Sequence, residues 1–397
     1  MPTIKLYDNT PYNTEFAAKI ISITPCIKGN NLYELILDRT LFFPESGGQS
    51  CDKGTIKIAE LAVTVENVFI DKEDNITHII SSDISLEINS LINSDIYGYI
   101  DWKHRFSNMQ QHSGEHIFSG IVKEKYGFEN VGFHLSDNNV TMDYDGYLNP
   151  AQVREIEIKV NKYIIQNIDI ICSYPNKEEL KNIDYRCKTE LTGDIRIVEI
   201  KGIDICACCC PHVRKTGEIG LLKVISSIRY KGGTRLSILC GFRAFEYFNS
   251  LYMQMGELKN LLSSEQSEVV NTVINLKNER DELKFKLREA NKNRLITEID
   301  NLAKNSPALI FIDEIDTKSH RESLNYLINK RNGYCGIFVG DEKKGYSYLI
   351  GSNNLDSALV QVKLKENLNA KGGGKKEMIQ GFVKASRNEI ETLLKFI

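Results

Sequence analysis

The chain has 397 residues, of which 42% are hydrophobic and 26% charged, and its formal net charge is -3. It is too long for one ordinary core, so two to four domains are expected, and the composition excludes a disordered or fibrous chain. No apolar run approaches the ~20 residues that cross a bilayer, and the basic-then-apolar layout of a signal peptide is missing. The expectation is a cytoplasmic protein with no membrane partner, whose contacts to any nucleic acid are made by local basic patches.

Residues 1–100 read as strands. Partial alternation at 31–38, 54–58 and 62–70, separated by Asp/Asn/Gly turns, predicts a small β-barrel or compact sheet. Within it, residues 40–54 form a Pro- and Gly-containing loop around Gly47, Gly48 and Gln49. Its backbone could approach a ligand closely, although a plain hairpin turn explains the same residues.

Residues 101–125 predict a helix with Met109, His112, His116 and Ile117 in one band. Strands follow at 132–135 and 139–144, then a helix over 150–166 capped by Asn149 with Pro150 at its first position. Strands at 194–200 and 220–226 flank Cys206-Ala207-Cys208-Cys209-Cys210-Pro211-His212.

From 256 to 302 charged residues are dense and no Pro appears. Leu262, Val269, Leu276 and Leu283 repeat at seven residues, with Val273 and Leu287 in the complementary position, which predicts a long helix in a coiled coil or helical hairpin, or one packed on its own domain. The remainder reads as α/β, with strands at 308–312, 334–339 and 346–350 and a helix at 323–331. Lys371-Gly372-Gly373-Gly374-Lys375-Lys376 is a candidate anion-binding loop, in a tail (359–397) holding eight Lys/Arg against four Glu.

The expected fold class is therefore α+β multidomain: a barrel-like domain (1–95), an α+β metal domain (96–248), a helical or coiled-coil segment (249–305) and an α/β domain (306–397).

The chemistry concentrates in two pairs. On a helix, His112 and His116 lie one above the other and can reach one ion. Cys208 and His212 repeat the four-residue spacing, and the four together fill a tetrahedral Zn2+ shell, with Cys206, Cys209 and Cys210 as competing ligands. Cys/His mixtures favour zinc over magnesium or calcium. His112-Ser113-Gly114-Glu115-His116 also fits the inverted zinc-protease motif, which wants a downstream carboxylate ligand that the Cys/His segment does not supply.

These stretches resemble the alanyl-tRNA editing proteins, which comprise the editing domain of alanyl-tRNA synthetase and its free-standing relatives. The match rests on Phe43-Pro44-Glu45-Ser46-Gly47-Gly48-Gln49, on 101–116, on 208–220 and on Gly232-Gly233-Thr234-Arg235-Leu236. The tail from Lys371 to Gly381 is similar to the family's DHHA1 domain.

The resemblance implies zinc held by His112, His116, Cys208 and His212, and Gln49 as a pocket residue near the ester; Thr40 joins Gln49 as a candidate catalytic residue able to hydrogen-bond a serine hydroxyl. It implies substrate contacts from Gly47, Gly48, Arg105, Gly372, Gly373, Gly374 and Lys375, and a homodimer through the C-terminal helix and domain. The implied reaction is trans hydrolysis of the ester on tRNA(Ala) mischarged with serine or glycine. Cys209 and Cys210 stand where the family has glycines, and no role for Glu115 is implied. A structural zinc in a non-catalytic RNA-binding protein is the alternative.

Overall fold

The computed structural model describes residues 2–27, 31–84, 86–137, 139–187, 194–302 and 308–395. These residues divide into two compact units, Met1–Gln254 and Met255–Ile397. The multidomain α+β expectation holds at this level, but with a different partition. The break expected after 95 falls inside the first unit, and the one at 305/306 lies outside the described residues.

Six strands close into an antiparallel barrel in the order β1-β2-β5-β4-β3-β6. They are β1 (Glu15–Pro25), β2 (Leu32–Leu37), β3 (Gly54–Ile58), β4 (Leu61–Ile70), β5 (Ile76–Ser81) and β6 (Asp95–Ile100). Alternate residues of β1 and β6 point inward, and Ile20, Leu35, Ile56, Val63, Val68, Ile80 and Ile96 fill the interior. β6 explains the misplaced boundary: it begins at 95 and closes the barrel against β1 and β3.

Straight from β6 the chain enters α1 (Trp102–Tyr126). The Asp101 side chain accepts from His104 N to cap it, and Gly127 ends it in the left-handed region. Almost every residue from Met109 to Val122 is buried, polar ones included, so α1 is a central helix whose polar groups need partners.

Around it lie β7 (Asn130–Leu135), β8 (Val140–Tyr144) and α2 (Pro150–Gln166), the last opened by the expected Asn149 cap. β9 (Ile170–Ser173), β10 (Ile197–Ile200) and β11 (Asp204–Ala207) form one antiparallel sheet. β12 (Leu222–Tyr230) and β13 (Gly233–Cys240) join β8 and β7 in the order β12-β13-β8-β7.

The heptad region is two helices. α3 (Gly241–Leu262) stops where Ser263 takes a positive φ of 49°, and a 3-10 turn precedes α4 (Val269–Asn301). Leu262 and Val269 therefore do not share one helix, while Val273, Leu276, Leu283 and Leu287 are exposed on α4.

The second unit holds a five-stranded sheet, β14 (Ala308–Ile312), β15 (Cys335–Asp341), β16 (Gly345–Gly351), β17 (Lys371–Lys375) and β18 (Met378–Val383), in the order β14-β15-β16-β18-β17. α5 (Thr317–Lys330), α6 (Ser357–Leu368) and α7 (Arg387–Leu394) complete it.

The expected anion-binding loop is β17, a fully exposed edge strand paired with β18. Its glycines have a packing reason: a Cβ at Gly372 would run into Gln380 O and one at Gly374 into Met378 O. No helix of the described residues is long and apolar enough to cross a membrane.

Candidate metal centre

Helical spacing brings His112 and His116 together on α1, with ring centroids 5.4 Å apart. The turn after β11 delivers Cys208 and His212 to the same point. The ligand atoms of His112, His116, Cys208 and His212 lie within 4.8 Å of one another. Cys208 Sγ is 3.5 Å from His112 Nε2 and 3.4 Å from His212 Nε2, so the sulfur sits among inward-facing ring nitrogens.

The outer nitrogens are occupied. His112 Nδ1 donates to Gln49 Oε1 at 2.9 Å. His116 Nδ1 donates to Asp204 Oδ2 at 3.0 Å, and Arg186 grips that carboxylate through Nε at 2.6 Å and Nη2 at 2.8 Å. His212 Nδ1 lies 3.0 Å from Ser113 Oγ. Each ring is thus held by its far nitrogen, with the near one turned to the cluster, as in metal sites with carboxylate, amide or hydroxyl partners behind each histidine. The donor set of three nitrogens and one sulfur fits Zn2+.

Without a metal, the cluster favours a thiolate at Cys208 and a neutral ring at His212, and a charged ring at His116. Hydrogen bonding from Cys210, and then the approach of His112 and His116, hold the Cys208 thiol well below its ordinary value despite burial. Burial pushes His212 down to about 3. Burial also opposes charge on His116, but Asp204 and Cys208 outweigh it and raise that pKa to about 9.

The competition among cysteines resolves by direction. Cys209 Sγ is 3.6 Å from Ser46 Oγ, and Cys210 donates to Ser46 O at 3.7 Å, so both pack on the glycine-rich loop. A Cβ on Gly47 would lie 2.8 Å from Cys210 Sγ, which shows how closely the loop meets the cysteine run. Cys206 groups only with His116 and Asp204. Cys208 alone of the four joins all three histidines among the described residues.

Gln49, at 0% exposure, is brought to His112, while its Nε2 is buried with no hydrogen-bond partner among the described residues. Gly48 has φ 78° and its carbonyl accepts from Leu135 N at 2.7 Å, pinning the loop to β7.

Thr40 and Arg105 are placed differently from the substrate roles expected of them. Thr40 Oγ1 is 2.9 Å from His78 Nε2 and accepts from Phe42 N, inside the barrel. Arg105 is 0% exposed, paired with Asp52 and donating to Pro11 O and Leu41 O. Since Phe43 N also donates to Asp52, this pair ties α1 to both ends of the loop. Gly372, Gly373, Gly374 and Lys375 belong to the second unit.

Glu115 is buried, and its Oε1 accepts from Ser119 and Asn130. The quartet is completed by Cys208 and His212 rather than by a carboxylate, which removes the protease reading.

Above the cluster lies a cavity of about 480 Å³, lined by His112, His116, Cys208, Gly47, Phe43, Tyr7, Tyr174, Asp8 and Arg196. It falls in the ordinary range for small-molecule sites, roughly 300–1,000 Å³. Tyr174 donates to Asp8 Oδ2 at 2.9 Å across it, and Arg196 Nη1 holds the carbonyls of Cys208 and Cys210. Spacing and composition assigned no role to Asp204, Arg186, Ser113 or Arg196. Asp204 carried a signal, a lone carboxylate in the alternating apolar run Ile203-Asp204-Ile205-Cys206.

Comparison with known proteins agrees with this architecture. A family described as "tRNA synthetases class II (A)" matches residues 4–103, and "Threonyl and Alanyl tRNA synthetase second additional domain" matches 195–236. The alanyl-tRNA editing protein AlaX-L of Pyrococcus horikoshii is 28% identical, over 97% of this chain and 96% of that protein. Alanyl-tRNA editing protein Aarsd1-B of Xenopus laevis is 26% identical over 96% and 95%. The alanine–tRNA ligase of Ignicoccus hospitalis is 27% identical over 99% of this chain, which spans 43% of that enzyme. Along nearly its whole length, this chain is similar to the alanyl-tRNA editing proteins.

Proposed function

We propose that the protein is a trans-acting hydrolase that cleaves the aminoacyl ester of tRNA(Ala) mischarged with serine or glycine. The observation that carries this is the His112–His116–Cys208–His212 quartet at the wall of an open cavity, in a chain matching AlaX-L end to end. A purely structural zinc would need no such cavity, which disfavours the non-catalytic reading. The chemistry is needed because a synthetase pocket for alanine discriminates poorly against glycine, one methyl smaller, and serine, one hydroxyl larger.

His112, His116, Cys208 and His212 would hold a zinc ion, whose chemistry there is Lewis-acid polarisation of an ester or a water. The chain's own groups do the rest. Gln49 Nε2, an unspent buried donor beside His112, is suited to an ester or amino-acid oxygen. Gly47 and Gly48 let the loop approach the substrate without side chains. A polar pocket that satisfied the serine hydroxyl would reject alanine by leaving its own groups unpaired.

The second unit is read as DHHA1-like. Its basic edge around Gly372, Gly373, Gly374 and Lys375 would contact tRNA backbone, and the exposed apolar residues of α4 would pair with a second copy. We place the protein in the cytoplasm.

The test is deacylation of Ser-, Gly- and Ala-tRNA(Ala) by purified protein. Release of Ser or Gly but not Ala, lost in His116→Ala, is expected. No release from any substrate overturns the hydrolase, and equal release of Ala overturns the specificity.

A further inference from the structure

We propose that Ser113 is the positioning residue for His212, tying the loop half of the metal site to the helix that carries the other half. This rests on the metal-centre reading above.

The loop half lacks the rigidity of the helix. Pro211 keeps Cys208–His212 out of a helix, so nothing in its own secondary structure fixes His212. Contacts from outside replace that support, chief among them Arg196 at one end and Ser113 at the other. Arg196 Nη1 holds the Cys208 end through carbonyls at 3.0 Å (Cys208) and 2.8 Å (Cys210). Ser113 holds the other end: its Oγ accepts from Val213 N at 3.2 Å and lies 3.0 Å from His212 Nδ1.

Ser113 is 0% exposed and stands between His112 and its neighbours on α1, so its position is set by the helix itself. A metal at the quartet needs the lone pair of His212 Nε2, which lies 3.4 Å from Cys208 Sγ. That requirement puts the ring proton on Nδ1, and Ser113 Oγ is the acceptor facing it. A hydroxyl oxygen has two acceptor positions. Here the loop fills both, one from a ligand's ring and one from the next residue's backbone. His112 and His116 have Gln49 and Asp204 in the same role, so Ser113 completes a set of one acceptor behind each ring.

The test uses the full chain and zinc itself, with affinity measured by competition against a chromophoric chelator. The visible spectrum of the cobalt-loaded protein is the second readout. Ser113→Ala is expected to weaken zinc binding about 10–100-fold and to alter the cobalt bands, while Ser113→Thr, which keeps the hydroxyl, restores both. Zinc affinity in Ser113→Ala within about threefold of the parent, with unchanged cobalt bands, overturns the proposal, being well short of that range. So does a threonine variant as weak as the alanine one. Loss of the metal-free fold in Ser113→Ala, read by circular dichroism, overturns it too, because a group that only positions the ligand end of the loop is not required for the apoprotein to fold. A parent protein that binds no zinc instead overturns the metal-centre reading, so the two failures are distinguishable.

Discussion

Gln49 Oε1 accepts the Nδ1 proton of His112 at 2.9 Å, so a loop of the barrel orients a ring on the central helix. Gln49→Ala removes that acceptor and the nearby unspent amide donor together. We expect zinc affinity to fall about 10–100-fold and deacylation to fall at least as far. Gln49→Glu, which keeps an acceptor but not the donor, separates the two contributions: it should recover metal binding, read by chelator competition, without recovering single-turnover rate.

His78 gives the barrel a pH dependence of its own. Burial holds its pKa down at about 4 against an ordinary 6.5. The folded state therefore favours the neutral ring. The stability this contributes is fully present above pH ~6.5 and is lost as pH falls towards ~4, by about 3 kcal/mol. Melting temperature followed between about pH 7.5 and about pH 4.5 should drop more steeply in the parent than in His78→Gln. Parallel curves for the two proteins would remove His78 as the cause.

Arg105 and Asp52 are both 0% exposed, and removing either leaves a buried charge. Arg105→Met should cost about 3–5 kcal/mol in denaturant unfolding, and Arg105→Met/Asp52→Leu should recover most of it. An Arg105→Met protein of unchanged stability but raised KM would instead restore the substrate role expected from sequence.

Glycines that look alike in the sequence should behave differently. Gly48 has φ 78° and a Cβ there would collide with Phe133 O, so Gly48→Ala must move the loop that carries Gln49. Gly373 has nothing within 4 Å of an added Cβ. Deacylation rates should collapse in Gly48→Ala, while Gly373→Ala should keep the parent's fold and melting temperature.

By itself the sequence determined the elements whose signals are local. The His112/His116 spacing, the Asn149-Pro150 start of α2, and the alternation within the first hundred residues each rest on neighbours along the chain. They are legible for that reason. The grouping of His112, His116, Cys208 and His212 was also readable, because cysteines and histidines are few and both pairs keep a four-residue spacing.

Only the tertiary structure decided what depends on groups far apart in sequence. It chose Cys208 over Cys206, Cys209 and Cys210, because that choice depends on where each sulfur points after β11 turns toward α1. It turned Arg105 and Thr40 inward, since burial is a property of the assembled barrel and helix. It set Asp204, Gln49 and Ser113 behind the three histidines, across 88, 63 and 99 residues of chain. Periodicity and spacing carry no information about such pairs, because folding alone brings them into contact.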